Sequence, residues 1–150
     1  MTEARSKATE GPPAVREIIR RAGHEIRNAL NGVAVNVEVV RSRSARDGSA
    51  KELSSFADRA SAQVGEASAL TDGLLALVGS VLTAQAAGTL KSTGGHDAGA
   101  AVELTIHGDA AAVVVSDIER LASRIGVAVE QHGHRVILRI LPEGKSHSKD

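Results

Sequence analysis

The chain has 150 residues and equal numbers of basic and acidic side chains, 18 Lys+Arg against 18 Asp+Glu. Zero formal net charge supplies no global pull toward nucleic acid or anionic lipid. One Phe with no Trp or Tyr removes the aromatic platforms that stack bases or grip Pro-rich peptides, and the absence of Cys removes disulfides, thiolate nucleophiles and Cys-type zinc sites. A core is affordable at 42% apolar residues, built from Ala, Val, Leu and Ile.

Residues 1–12 are polar, lack the apolar run of a signal peptide and read as a disordered leader. Pro12 and Pro13 suit the first turn of a helix. From there the apolar positions fall at Val15, Ile19, Ala22, Ile26, Ala29, Val33, Val37 and Val40, in steps of three and four. That spacing predicts a long amphipathic helix close to a heptad seam, ending at the Ser/Asp/Gly-rich run RSRSARDGS. Ser49 and Glu52 have the S-x-x-E spacing of a capping box and open a second helix, with its stripe through Leu53, Phe56, Ala60, Val64, Ala67, Leu70 or Thr71, Leu74, Leu77 or Val78, and Val81. Each helix should last about 28–36 residues, roughly 40–55 Å at 1.5 Å per residue. A short link makes residues 13–86 an antiparallel hairpin. A lone hairpin would leave much of its apolar stripe wet, so a homodimer closing a four-helix bundle is expected. The most apolar stretch, residues 73–88, is shorter than the roughly 20 residues of a spanning helix and is interrupted by Ser80, Thr83 and Gln85. The expectation is a soluble cytoplasmic protein without a membrane or nucleic-acid partner.

Residues 87–100, rich in Gly, Ala, Ser and Thr, read as a linker. The period then changes. VELTI alternates, and VAVEQ and HRVILRIL look like strands around a His132-Gly133 turn. Between them DIERLASRI reads as a helix capped by Ser116 or Asp117, while residues 110–115 (AAAVVV) fit either a backward extension of that helix or a strand. Residues 101–142 thus form a small α/β module of three or four strands and one helix, too small to be comfortable alone and expected to pack on the bundle or its dimer mate. Residues 143–150 read as a disordered tail. The overall class is α+β: a long helical hairpin followed by this module.

The chemistry concentrates around His24. On the heptad set by Ile19, Ala22, Ile26 and Ala29 it faces away from the seam, toward water. Its helical neighbours are Arg20, Arg21, Arg27 and Asn28. A ring of guanidinium groups disfavours protonated imidazole, leaving it neutral and nucleophilic, and offers donors to a phosphoryl group once attached. Glu25 adjoins the ring as a general base. The plain alternative is a solvated basic helix face.

The run His24-Glu25-Ile26-Arg27-Asn28-Ala29-Leu30-Asn31 resembles the H-box of sensor histidine kinases, H-E-x-[RK]-[NT]-P-L, carried on the first helix of their dimerisation and histidine-phosphotransfer hairpin. The resemblance covers roughly residues 13–86. It implies that His24 is the phosphoacceptor, Glu25 its acid/base neighbour, and Asn28 the residue orienting a phosphoryl group or water, with Arg20, Arg21 and Arg27 stabilising the phosphoryl oxygens. Ala29 stands where the family has Pro, so the helix should run straighter. The family's ATP-binding boxes, D-x-G-x-G and G-x-G-x-G, are missing: Asp97-Ala98-Gly99 has half of the first and precedes the module's first strand. The resemblance therefore points to a phosphorelay histidine phosphotransferase of the kind that lacks an ATP site, exchanging phosphate with response-regulator receiver domains, which would carry the magnesium; the chain itself would bind no cofactor. Its alternatives are a response-regulator phosphatase using Glu25 and Asn28, and a non-catalytic dimerising regulator of a histidine kinase. His132 and His134 could pair on a metal but read better as hairpin-turn residues. His96 lies in the linker, His147 in the tail, and His107 at the end of VELTI, while Arg41, Arg43 and Arg46 form a basic turn.

Overall fold

A computed structural model describes residues 11–143. Helix α1 runs Pro13–Ser44 and helix α2 Ala50–Ala86. They are followed by strands β1 (Lys91–Thr93) and β2 (Ala101–Thr105), helix α3 (Ala111–Ile125), and strands β3 (Val127–His132) and β4 (Arg135–Ile140). The class is α+β, three helices with one four-stranded antiparallel sheet. The expected leader (residues 1–10 of it) and all but the first residue of the expected tail lie outside the described residues.

The helical hairpin forms where the 3–4 spacing predicts. Pro13 opens α1 at a position whose amide needs no helical partner. The turn after it holds Asp47 at φ 60°, and the amide of Gly48 returns to the Arg43 carbonyl at 3.0 Å. Only half of the capping box is made. Ser49 Oγ accepts from the Glu52 amide at 3.3 Å, while the Glu52 carboxylate turns to Arg43 at 3.2 Å. Midway along the hairpin, Asn36 Nδ2 donates to Gln63 Oε1 at 2.8 Å and to the Gly32 carbonyl at 3.0 Å.

The seam of α1 differs from the expected one. Its buried residues are Ala14, Val15, Ile18 and Ala22, confined to the first third of the helix. Ile18 is in the core, whereas Ile19 is 37% exposed and Val37 52%. A heptad phase assumes a single helical neighbour, but the start of α1 also faces α3 and the sheet, which rotates the buried face. Beyond Ala22 the chain leaves the stripe half-covered. Helix α2 is long and apolar enough to cross a membrane by length and composition. Here Leu70, Leu77, Val81 and Ala84 on one of its faces are in the protein core.

One expectation for the second half is corrected, and one left open is decided. The stretch 87–100 is not only a linker, because β1 pairs with β2 in it, Ser92 opposite Val102. All three residues of β1 are exposed, so no hydrophobic alternation announces it. Helix α3 begins at Ala111 rather than at Ser116 or Asp117, with no side-chain cap. Ala111, Val114, Val115, Ile118, Leu121, Ala122 and Ile125 all join or adjoin the core, a helical period that settles the ambiguity of 110–115.

The strand order is β1-β2-β4-β3. Both neighbours of β4 are antiparallel to it, so β2 and β3 run parallel with β4 between them and α3 making the crossover. Val102 faces Leu138 across the ladder and Leu104 faces Val136. These residues, α3, the second half of α2 and the start of α1 form one continuous buried cluster. The module therefore rests on its own chain's hairpin. Gly73 makes the approach possible: a Cβ there would sit 2.7 Å from both the Asp117 carbonyl oxygen and Leu121 Cβ.

Candidate functional site

His24 is exposed on α1 and lines a cleft of about 270 Å³. One wall is α1 itself, through Arg20, Arg21, His24 and Glu25. The other is the module, through Arg124 and Ile125 at the end of α3, the Gly126 turn, and Pro142 and Glu143 after β4. The expected bare helix face is thus one side of a groove between hairpin and module.

The expected ring of free guanidinium groups is mostly engaged. Arg21 is only 10% exposed. Its Nη1 donates to the carbonyls of Ile125 at 3.2 Å, Gly126 at 3.1 Å and Leu141 at 3.2 Å, and its Nε to Glu17 Oε1 at 2.9 Å. Gly126 adopts φ 67° and closes α3, whose last carbonyls have no helical donors, so Arg21 caps that helix from outside. Arg20 forks onto Glu17 at 2.8 and 2.7 Å and reaches Glu143 at 3.0 Å. The hydrogen bonds from Arg20, with those of Arg21, outweigh partial burial and hold the Glu17 carboxyl at about 2, against an ordinary 4.5. Arg20 is correspondingly held more firmly protonated. Arg21 Nε and Nη1 are thus committed to Glu17 and to the module's carbonyls, a structural role beside the one expected from the sequence. The surplus positive field expected around His24 is also offset, by Glu17, Glu25 and Glu143.

Arg27 and Asn28 are exposed on the open side of His24 and make no side-chain hydrogen bond or ion pair among the described residues. Glu25 is held. Its Oε1 accepts from Arg124 Nη2 at 3.2 Å, and its Oε2 has no partner among the described residues. Arg124 also pairs with Glu66 of α2. No sequence signal identified Arg124, because it lies 99 residues from Glu25 and nothing in the local run SRIGV distinguishes it from an ordinary basic residue near a helix C-terminus.

The other histidines gather elsewhere. The rings of His107 and His134 stack 4.7 Å apart at 43°, and His132 stands 3.9 Å from Glu130. His132 and His134 flank the Gly133 turn as expected. Among the described residues no group of three or more His, Asp or Glu could hold a metal ion. His96 is exposed beside Asp97 at 3.7 Å, and His147 lies outside the described residues.

A second groove, about 280 Å³, runs between the two long helices and is lined by Ile26, Leu30, Val64, Ala67, Ser68, Thr71 and Asp72. Leu30 is 52% exposed and Val64 49%.

No family model, curated protein or solved structure matches the chain. The functional reading rests on the site itself and on the H-box-like run that carries it.

Proposed function

We propose that the protein is a cytoplasmic histidine phosphotransferase of two-component signalling, which accepts a phosphoryl group on His24 from one receiver-domain aspartate and donates it to another. The observation that carries this reading is an exposed imidazole on the wall of a cleft, with the free oxygen of an anchored carboxylate on the next residue and Arg27 and Asn28 open one turn further on. In the transfer, the lone pair of one ring nitrogen forms the N–P bond. The acyl-phosphate P–O bond breaks, and the aspartate carboxylate leaves with its electron pair. In this reading Glu25 Oε2 accepts the proton on the other ring nitrogen, and Arg27 and Asn28 donate to the phosphoryl oxygens. Divalent metal, bound by the receiver, would neutralise charge on the acyl phosphate. The reaction runs in either direction with the same groups.

The working unit in this reading is a homodimer. A stripe of Ile26, Leu30 and Val37 on α1 faces solvent or half-faces it, as do Val64, Leu75 and Leu82 on α2. Ile26, Leu30 and Val64 line one groove between the helices, and a second copy of the hairpin would cover them as a four-helix bundle. His24 points away from that groove, so dimerisation leaves it accessible.

The test charges a panel of receiver domains with radioactive phosphate and mixes each with wild type or His24→Gln. Acid-labile, alkali-stable label on wild type alone is the expected result. Faster loss of receiver phosphate with no label on the protein would replace transfer by hydrolysis through Glu25 and Asn28. Indifference of every receiver would refute both, leaving a non-catalytic regulator that pairs with a histidine kinase.

A further inference from the structure

The end of α3 grips α1 at two residues, Arg21 and Glu25, which are one helical turn apart and bracket His24. The Arg21 contacts are explained by helix capping. The Glu25 contact is not needed for that. Arg124 projects from the last turn of α3, is about half exposed, and meets two carboxylates from two different helices, Glu25 of α1 and Glu66 of α2. Glu25 has 27% of its side chain exposed, so the guanidinium fixes a carboxylate that has water on one side and protein on the other.

We infer that Arg124 is a positioning residue for the His24 site, a cation delivered by the module that holds the Glu25 carboxylate against the cleft wall with one oxygen left over for chemistry. This rests on the phosphotransfer reading and adds to it the reason why a module without any ATP-binding motif is retained beside the hairpin. A Glu side chain on a helix has three rotatable torsions, and a free one spreads its carboxylate over many positions. Bonded through Oε1 to Arg124, it is restricted to rotamers that keep Oε2 at the cleft. Glu66 fixes Arg124 in turn. It anchors the guanidinium to α2, so that the Arg124–Glu25 contact reports the docking of α3 on the hairpin. The two carboxylates are held close only by the cation between them. Without it, like charges on Glu25 and Glu66 repel, and Glu25 swings toward solvent, away from the cleft that it lines with His24. Lys would keep the charge but lacks the planar, pre-organised guanidinium, and so restores the arrangement only in part.

The experiment uses the full chain, ¹⁵N-labelled, together with a phosphate-charged receiver that transfers to wild type. The guanidinium ¹⁵N–H signals of Arg124 should move in both Glu25→Gln and Glu66→Gln. Arg124→Met should lower the transfer rate constant about tenfold, a fraction of what a general base contributes, while KM for the receiver stays within about twofold. Arg124→Lys should recover part of that loss. Glu25→Gln/Arg124→Met should be no slower than Glu25→Gln alone, since both act through one carboxylate. Full activity of Arg124→Met, a purely additive double variant, or Arg124 signals indifferent to Glu25→Gln would each overturn the assignment. If Arg124→Met does not fold, Arg124→Lys and Glu66→Gln decide the matter by the same rate and signal criteria. If the signals move as stated but no receiver labels wild type, it is the phosphotransfer reading that has failed, and Arg124 is left as a structural ion bridge only.

Discussion

Replacing Arg21 with Met separates the two roles that the sequence and the structure give to that residue. Met keeps most of the aliphatic stem and deletes the guanidinium. In the folded protein the deletion removes hydrogen bonds to the Ile125, Gly126 and Leu141 carbonyls and one arm of the Glu17 pair. A hydrogen bond to a charged group is worth roughly 1.5–3 kcal/mol. The three carbonyl contacts share one nitrogen, however, and water can reach the Gly126 and Leu141 carbonyls once the side chain is gone, so they do not add. Glu17 keeps Arg20 as a partner. The net loss is therefore worked at about 3 kcal/mol, a large part of the 5–15 kcal/mol by which domains of this size are ordinarily stable. At about 2–4 °C per kcal/mol for a chain of this length, the midpoint of thermal unfolding should fall by roughly 6–12 °C.

The assay is urea unfolding followed by far-UV circular dichroism at pH 7, at one fixed protein concentration because dimerisation would add a mass-action term. The denaturant midpoint should drop while the slope stays unchanged, since the native surface is the same. Arg21→Lys should recover only part of the loss, because its one ammonium can replace Nη1 at the carbonyls but not the separate Nε bond to Glu17. A loss under about 1 kcal/mol would refute the capping argument. So would a variant of full stability that no longer accepts phosphate, which would return Arg21 to the phosphoryl group.

Three further outcomes follow from the same structure. The Glu17 carboxyl is held at about 2 when folded, against 4.5, chiefly by its hydrogen bonds from Arg20. As pH falls the unfolded chain takes up this proton first, so the contribution is whole above about pH 5 and is lost on descending to about pH 2; Glu17→Gln should flatten that part of a stability–pH curve, as read by chemical unfolding at stepped pH. Gly73→Ala forces a Cβ to within 2.7 Å of the Asp117 carbonyl oxygen and of Leu121 Cβ. It should cost about 1–3 kcal/mol and shift the amide signals of α3 more than those of the α1–α2 turn. Leu30→Glu, on the groove between the long helices, should turn a dimer into a monomer by light scattering with helix content unchanged; a dimer that survives would mean that the copies meet elsewhere.

Much of this architecture is legible in the sequence because it is local. The helices that the 3–4 spacing predicts, the Ser49 half of the capping box and the Gly133 turn each depend on residues within a few positions of one another, and all three are present. The exposure of His24 follows from helical phase alone and survives even though the seam that fixed the phase was rotated, since positions 18 and 19 both lie on the far side from position 24. The start of α3 was also written in the chain: Ala111, Val114, Val115 and Ile118 keep the helical period, but three Ala followed by three Val gave strand and helix equal claims until packing decided. What the sequence could not disclose is what depends on contacts across the fold. Exposed Lys-Ser-Thr becomes β1 only because β2 offers it an edge. Arg20, Arg21 and Arg27 look equivalent around His24, and only the placement of α3 and the segment after β4 distinguishes a surface ion pair, a buried cap and a cation without a partner among the described residues.

That distinction bears on how the site came to be shaped as it is. An α-helix offers each residue neighbours on two sides, and His24 uses its two sides differently. Toward the module, positions 21 and 25 are occupied in holding α3 and the strand ends in place. Away from it, positions 27 and 28 stay uncommitted among the described residues. A partner approaching His24 along the open side meets Arg27 and Asn28 without having to displace any internal contact. One approaching from the module side meets Pro142 and Glu143, whose carboxylate already pairs with Arg20. Under the proposed phosphotransfer reading, a partner with acidic groups would be favoured on the Arg27 side of His24 over the Glu143 side. The same division predicts opposite phenotypes for two arginines a few residues apart: Arg27→Ala should leave the unfolding midpoint where it is and weaken receiver docking, and Arg21→Met should do the reverse.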